Sequence, residues 1–251
     1  MFPLRDDNPT LRTSVTTFAL IAVNVACWVL VQGLGGEPKL ATSVCQLGLI
    51  PGALLGTVPV GTTVPLGAGA ACQIESSPQW ATLVTSMFMH GGWLHLIGNM
   101  WFLAVFGDNV EDSMGRGRFL AFYLLCGLAA ALSEVFAQSH SALPMVGASG
   151  AIGGVMGAYA ILYPRARVHM LLIIVVFITR IIVPAWFVLG YWFLIQLLAG
   201  FGSIGLGGGG TAFWAHAGGF LAGVTLVFLF RDPDLVAAHR RALASGHFRS
   251  R

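Results

Sequence analysis

The sequence predicts an all-α membrane protein: a bundle of six transmembrane helices with the N- and C-termini both cytoplasmic. Three observations predict it. Of the 251 residues, 56% are hydrophobic and only 9% charged, against about 25% charged in a soluble domain. Six apolar runs of spanning length follow one another, and the arginines all fall on one side of the topology those runs define. A bilayer core about 30 Å thick calls for roughly 17 to 25 apolar residues at 1.5 Å of rise each. Runs of that kind occupy residues 15–33, 87–106, 119–137, 147–163, 181–201 and 212–230.

Taken in order, the first run shows no small-residue cleavage pattern, and Asn24 stands where a lipobox before Cys27 would need an apolar residue, so an uncleaved anchor is expected. A long Gly- and Pro-rich segment with Cys45 and Cys72 follows. On the exterior, an oxidising medium would permit a disulfide between the two. After the second run, residues 107–118 read as a cytoplasmic loop. The stretch 168–201 is too long for one span and too short for two with a turn, and Arg180 and Pro184 interrupt it. Residues 168–178 are therefore expected as a cytoplasmic-side interfacial segment, with the fifth span after them. The glycine run 207–210 reads as a flexible exterior loop. No internal repeat is visible, and the expected division is an N-terminal tail (1–14), one membrane domain (15–230) and a C-terminal tail (231–251).

Orientation follows from the basic residues, because short cytoplasmic loops hold the excess of Lys and Arg. Arg5 and Arg12 precede span one; Arg116 and Arg118 lie between spans two and three. Arg165, Arg167 and Arg180 separate spans four and five, and Arg231, Arg240, Arg241, Arg249 and Arg251 follow span six. With six spans and an inner N-terminus all twelve arginines are inside, and Lys39 is the one basic residue outside. The net charge of +3 is then a topology signal and an attraction to anionic lipid of the bilayer. With no stacking or groove-reading module, no nucleic-acid partner is expected.

Polar side chains at membrane depth are costly, so each is a functional candidate. Those singled out are His90, His95 and Asn99 in span two, Ser149 in span four and His216 in span six. Spans two, four and six all run from outside to inside, which brings these residues to the exterior end at comparable depth. His95 and Asn99, four apart, share a helix face. Ser149 opens its helix, where unpaired N–H groups and the positive dipole end would face a developing oxyanion. A serine at a helix start is ordinarily an N-cap, and a lone membrane histidine is ordinarily an interhelical hydrogen-bond partner. Their joint placement argues for a shared site instead. Small residues at four-residue spacing, Ser149, Gly153 and Gly157 in one span and Ala215, Gly219 and Gly223 in the other, would let spans four and six approach closely.

The motif Gly147-Ala148-Ser149-Gly150, the later Ala215-His216-Ala217-Gly218-Gly219, and His90, His95 and Asn99 upstream resemble the rhomboid family of intramembrane proteases. Residues 107–115 resemble that family's G-x-x-x-E-x-x-x-G element, and the likeness covers about residues 80 to 230. The resemblance implies a six-helix fold opening to the exterior, and a Ser149–His216 dyad that needs no carboxylate. It also implies cleavage of transmembrane protein substrates in or near their membrane helix. His95, Asn99 and the Ser149 N–H would stabilise the oxyanion; His90, Gly91 and Gly92 would admit water; Gly147 and Gly150 would line the site. No cofactor and no metal are implied. The expected location is a bacterial inner (plasma) membrane, with the site open to its exterior side.

Two positions depart from the family pattern. Many relatives carry an aromatic residue four after the nucleophile, stacked on the histidine, where this chain has Gly153; and Trp80 is followed by Ala81 where an arginine is common. Competing readings are a polar-solute transporter, a zinc site on His90, His95 and His216, and a membrane-client binder that does not cut. A transporter calls for mid-membrane acidic residues, and Glu134, the one acidic candidate, sits at an outer end. The zinc reading lacks a helical H-E-x-x-H spacing, and the presence of both dyad members disfavours the client binder.

Overall fold

The computed structural model describes residues 2–67, 69–174, 177–203 and 212–244. In chain order these form β1 (Phe2–Asp6), α1 (Val15–Leu30), α2 (Lys39–Leu47), α3 (Pro51–Leu55), β2 (Thr63–Gly67), β3 (Ala70–Gln73), α4 (Thr82–Thr85), α5 (Trp93–Met114) and α6 (Arg116–Ala137), then α7 (Ser149–Leu162), β4 (Arg167–Ile174), β5 (Phe177–Pro184), α8 (Ala185–Ser203), α9 (Phe213–Phe230) and α10 (Pro233–Ala244). The glycine run 207–210, Arg249 and Arg251 lie outside the described residues.

Each apolar run overlaps one helix, α1, α5, α6, α7, α8 or α9, although α5 starts only at Trp93 and residues 181–184 of the fifth run lie in β5. By length and composition α6, α8 and α9 are long and apolar enough to cross a membrane. α1 and α7 are apolar but shorter, at 16 and 14 residues. α5 has 22 residues and carries Asp108, Glu111 and Asp112 in its C-terminal part.

α7 is the axis of the bundle, with residues 150–159 all buried. That is why its sequence is apolar or small all round and not amphipathic. α9 packs along it backbone to backbone: a Cβ on Gly219 would lie 2.0 Å from the Gly150 carbonyl oxygen, and one on Gly223 1.9 Å from that of Gly154. Only glycine fits there. On α7 the expected Gly153 and Gly157 meet α9, where added Cβ atoms would lie 3.1 Å from His216 O and 2.3 Å from Phe220 O, and Gly150 and Gly154 join them.

Two expectations are corrected. The protein is mostly helical but not all-α: of the segment expected at the interface, residues 168–174 and 177–178 belong to the antiparallel pair of β4 and β5, with Arg167 opposite Pro184 and Ile174 opposite Phe177. β1, from the expected N-terminal tail, joins it as an outer strand, with Phe2 opposite Leu171 and Asp6 opposite Val168. Val168, Ile173, Ile174, Ile178, Ile181, Ile182 and Val183 are β-branched, which suits a pleated surface. Alternation then buries Val168 and Met170 in the core while Arg167 stays exposed.

The second correction concerns residues 107–118, which are helical through Met114; Gly115, at φ +80°, turns the chain straight into α6. A Cβ on Gly107 would come within 3.1 Å of Thr17, so glycine lets α1 approach. Glu111 then accepts hydrogen bonds from Thr16 N (2.9 Å), Thr17 N (2.7 Å) and Thr17 Oγ1 (2.8 Å). Ser14, the N-cap residue of α1, makes no side-chain cap bond, so a carboxylate from another helix satisfies the orphan N–H groups.

The segment between α1 and α5 is ordered around Ile50, Ala53, Val58, Cys72 and Ile74. A Cys45–Cys72 disulfide ties α2 to β3. With Ala81 in place of an arginine, the segment is held by Thr85 Oγ1 donating to Leu47 O at 2.8 Å, and by Gln32, which accepts from His90 N and donates to His90 O. At the opposite end, His239 of α10 is bonded to Pro9 O at 2.8 Å and packs on Tyr163.

Candidate active site

Ser149 is the first residue of α7, and His216 lies in the first turn of α9. The glycine contact between these helices brings their starts together, and His216 Nε2 lies 2.7 Å from Ser149 Oγ. Both residues line a cavity of about 730 Å³ together with His95, Asn99, Gly147 and Gly150. Its rim includes Glu37, Leu40 and Leu66 from the ordered segment that follows α1. His90 does not line it: the residue is fully buried behind the cavity, with its ring edge-on to His95 at 5.3 Å. The correction has a simple cause, since Gln32 clamps the His90 backbone and turns the side chain inward.

On the other side of Ser149, His95 Nδ1 accepts the Gly91 N–H at 3.3 Å, so in the neutral ring the proton is on Nε2. A Cβ on Gly147 would lie 2.7 Å from that Nε2 and 3.5 Å from Asn99 Nδ2. Gly147 itself has φ +127°, a conformation suited to glycine. Asn99 Nδ2 is buried and has no hydrogen-bond partner among the described residues. A hydroxyl already bonded to a base thus shares one cavity with the N–H donors of His95 and Asn99, a combination that suits acyl transfer.

The family model described as "Rhomboid domain" matches residues 77–233, more than half of the chain. The chain belongs to the rhomboid family. It is 35% identical over 103 residues to RHOMBOID-like protein 5 of Arabidopsis thaliana, a match covering 39% of this chain and 33% of that protein. Rhomboid protein 1, mitochondrial, of Saccharomyces cerevisiae is 27% identical over 171 residues, 66% of this chain and 46% of its own length. Rhomboid protease GluP of Bacillus subtilis is 33% identical over 150 residues, 60% of this chain and 28% of its own. The matched stretches thus span less than half the length of each of these relatives. With the apolar helices, membership supports an integral membrane protein. Because the relatives include organellar proteins, it does not support a bacterial inner membrane in particular.

In this rhomboid the aromatic partner of the histidine comes from another helix. The Trp192 ring of α8 lies 5.7 Å from the His216 imidazole at 39°. A Cβ on Gly153 would sit 3.6 Å from Trp192 Cη2 and 3.1 Å from His216 O, so a large side chain there would compete with the indole. One turn along α8, Gln196 Oε1 lies 2.8 Å from His216 Nδ1. Glu134 of α6 accepts the Ala215 N–H at 3.0 Å and a bond from the Trp214 N–H. It caps α9 as Glu111 caps α1, since Ala212 has no capping side chain. Sequence reasoning missed Trp192 and Gln196, and weighed Glu134 only under the transporter reading. A signal existed for Gln196, an amide in an otherwise apolar stretch of α8; none existed for Trp192 among so many aromatics.

Proposed function

We propose that this chain is an intramembrane serine endopeptidase that cuts a peptide bond in or near the transmembrane segment of membrane-protein substrates. α1 and α5 to α9 would span the bilayer with both termini cytoplasmic, and the cavity would open to the exterior. The observation that carries the reading is the 2.7 Å Ser149–His216 contact inside the cavity. Fourteen residues of α7 rise only about 21 Å, short of the roughly 30 Å hydrocarbon core. This supports a nucleophile set below the membrane surface.

On this reading Ser149 Oγ bonds to the scissile carbonyl carbon as its proton passes to His216 Nε2. The oxyanion accepts from His95 Nε2–H, Asn99 Nδ2–H and the backbone N–H of Ser149, which has no partner within its helix. His216 protonates the leaving amine and the C-terminal fragment departs. A water molecule, deprotonated by His216, then hydrolyses the acyl ester and restores Ser149.

The test is cleavage of a model transmembrane substrate by the purified protein in detergent or liposomes. Ser149→Ala and His216→Ala are each expected to abolish cutting while melting close to wild type, because neither side chain is a large packing group. If Ser149→Ala cuts at the wild-type rate, the mechanism is wrong. For topology, an impermeant thiol reagent should label Glu75→Cys from outside and leave Asp234→Cys unlabelled; the reverse pattern overturns the orientation.

A further inference from the structure

We propose that Gln196 is an uncharged third member of the site, a positioning residue that holds His216 in the tautomer able to act as a base. The inference rests on the protease reading for its consequence, but its first test does not need turnover.

A neutral imidazole carries one N–H and one acceptor nitrogen. To take the Ser149 proton, Nε2 must be the acceptor, so the ring hydrogen has to reside on Nδ1. Nδ1 lies 2.8 Å from Gln196 Oε1, and Gln196 is buried. An acceptor there favours the Nδ1–H form. Without it, the Nε2–H form would compete and point a donor at the Ser149 hydroxyl.

Among the described residues, no hydrogen bond links His216 Nδ1 to any acceptor but Gln196. From α6, Glu134 is bound to the amides of Ala215 and Trp214. From α5, His95 lines the same cavity and uses its Nδ1 to accept Gly91 N–H. From α7 and α8 come Ser149, Trp192 and Gln196, none charged. A carboxylate in place of Gln196 would also orient the ring, but it would put an anion in an apolar helix, which is costly unless paired. An amide supplies the direction without the charge. Trp192, one turn earlier on α8, covers the ring face that Gly153 leaves open, so a single helix sets both the edge and the face of the base.

The first measurement is ¹⁵N NMR of histidine-labelled full-length protein, with His216 assigned by loss of its signal in His216→Gln. The expected result is an Nδ1–H tautomer in wild type and a shift toward Nε2–H in Gln196→Met. An Nε2–H tautomer in wild type overturns the proposal. The second is the pH profile of substrate cleavage. Gln196→Met should lower kcat about 10- to 100-fold, the cost of stranding one buried donor, with KM within about twofold. Gln196→Glu keeps an acceptor and adds a negative charge that favours imidazolium, so its acidic limb should move up by about one pH unit or more. The readout that a merely structural glutamine would not move is the tautomer. Wild-type kcat in Gln196→Met overturns the proposal, and if Gln196→Met does not fold, the wild-type tautomer still decides it. If wild type cuts no substrate, the protease reading fails, while the tautomer still decides the role of Gln196.

Discussion

Glu134→Ala isolates the cap that seats His216. Glu134 is only 8% exposed and accepts the Ala215 N–H at 3.0 Å, beside a bond from Trp214 N–H. Removal strands N–H groups at the start of α9. A lost cap costs about 0.5 to 2 kcal/mol and a buried unsatisfied donor about 1 to 3 kcal/mol. With cavity water replacing part of the loss, roughly 1 to 3 kcal/mol remains. For a chain of this size that is a fall in melting temperature of about 2 to 12 °C. His216 follows Ala215 directly, so the frayed turn carries the base with it. A displacement near 1 Å costs about 100-fold in rate, and kcat should drop by up to that much with KM little changed. Glu134→Gln retains an acceptor oxygen and should fall between the two. The assays are thermal unfolding in detergent by tryptophan fluorescence, and initial rates on a transmembrane substrate. Wild-type melting and wild-type kcat in Glu134→Ala would refute the cap.

Three further outcomes are expected. Asn99→Ala should lower kcat about 10²- to 10³-fold with KM nearly constant, and adding His95→Ala should cost less than the product of the single effects; an earlier melt at unchanged turnover would make Asn99 a packing residue. Reducing the Cys45–Cys72 bond, which joins positions 27 apart, removes about 3 to 4 kcal/mol in the chain-entropy picture, so dithiothreitol should lower the melting point, and an unchanged melt refutes this. Burial pushes the Asp6 carboxyl from 3.8 up to about 6, outweighing the hydrogen bond it accepts from Tyr159. The folded state then binds the extra proton between those values, so this group's contribution to stability falls as pH rises from about 4 to 6 and is flat above. Asp6→Asn should therefore gain on wild type between pH 4 and pH 7; a constant or reversed difference in melting temperature would show that Asp6 is not buried as an acid.

Much of the bundle was legible because a helix in lipid must satisfy its own backbone, so long apolar runs have few alternatives. The site was legible for a related reason: His95, Asn99, Ser149 and His216 stand out as polar groups in such runs. Legibility failed where one composition suits two structures. The Ile- and Val-rich stretch around 168–183 is apolar enough for an interface, and periodicity alone does not separate it from strands; its β-branched content was the clue, and pairing with Phe2–Asp6 decided it. Residues 107–118 read as a loop because they are charged, yet the charges serve the helix, Glu111 by capping α1 and Asp112 by pairing Arg12 at 3.1 Å.

By itself, then, the sequence determined which segments are apolar and which polar residues in them are candidates for a site, because hydropathy and residue chemistry are local properties. Only the tertiary structure decided how that base is held. Gln196 reaches His216 Nδ1 across 20 sequence positions, and Glu134 reaches Ala215 N across 81. Trp192 occupies space that exists because residue 153 has no side chain. Hydrogen-bond partners between helices are fixed by how closely the helices pack and at what rotation. Here that is set by the contacts of Gly150 with Gly219 and Gly154 with Gly223, where backbone meets backbone.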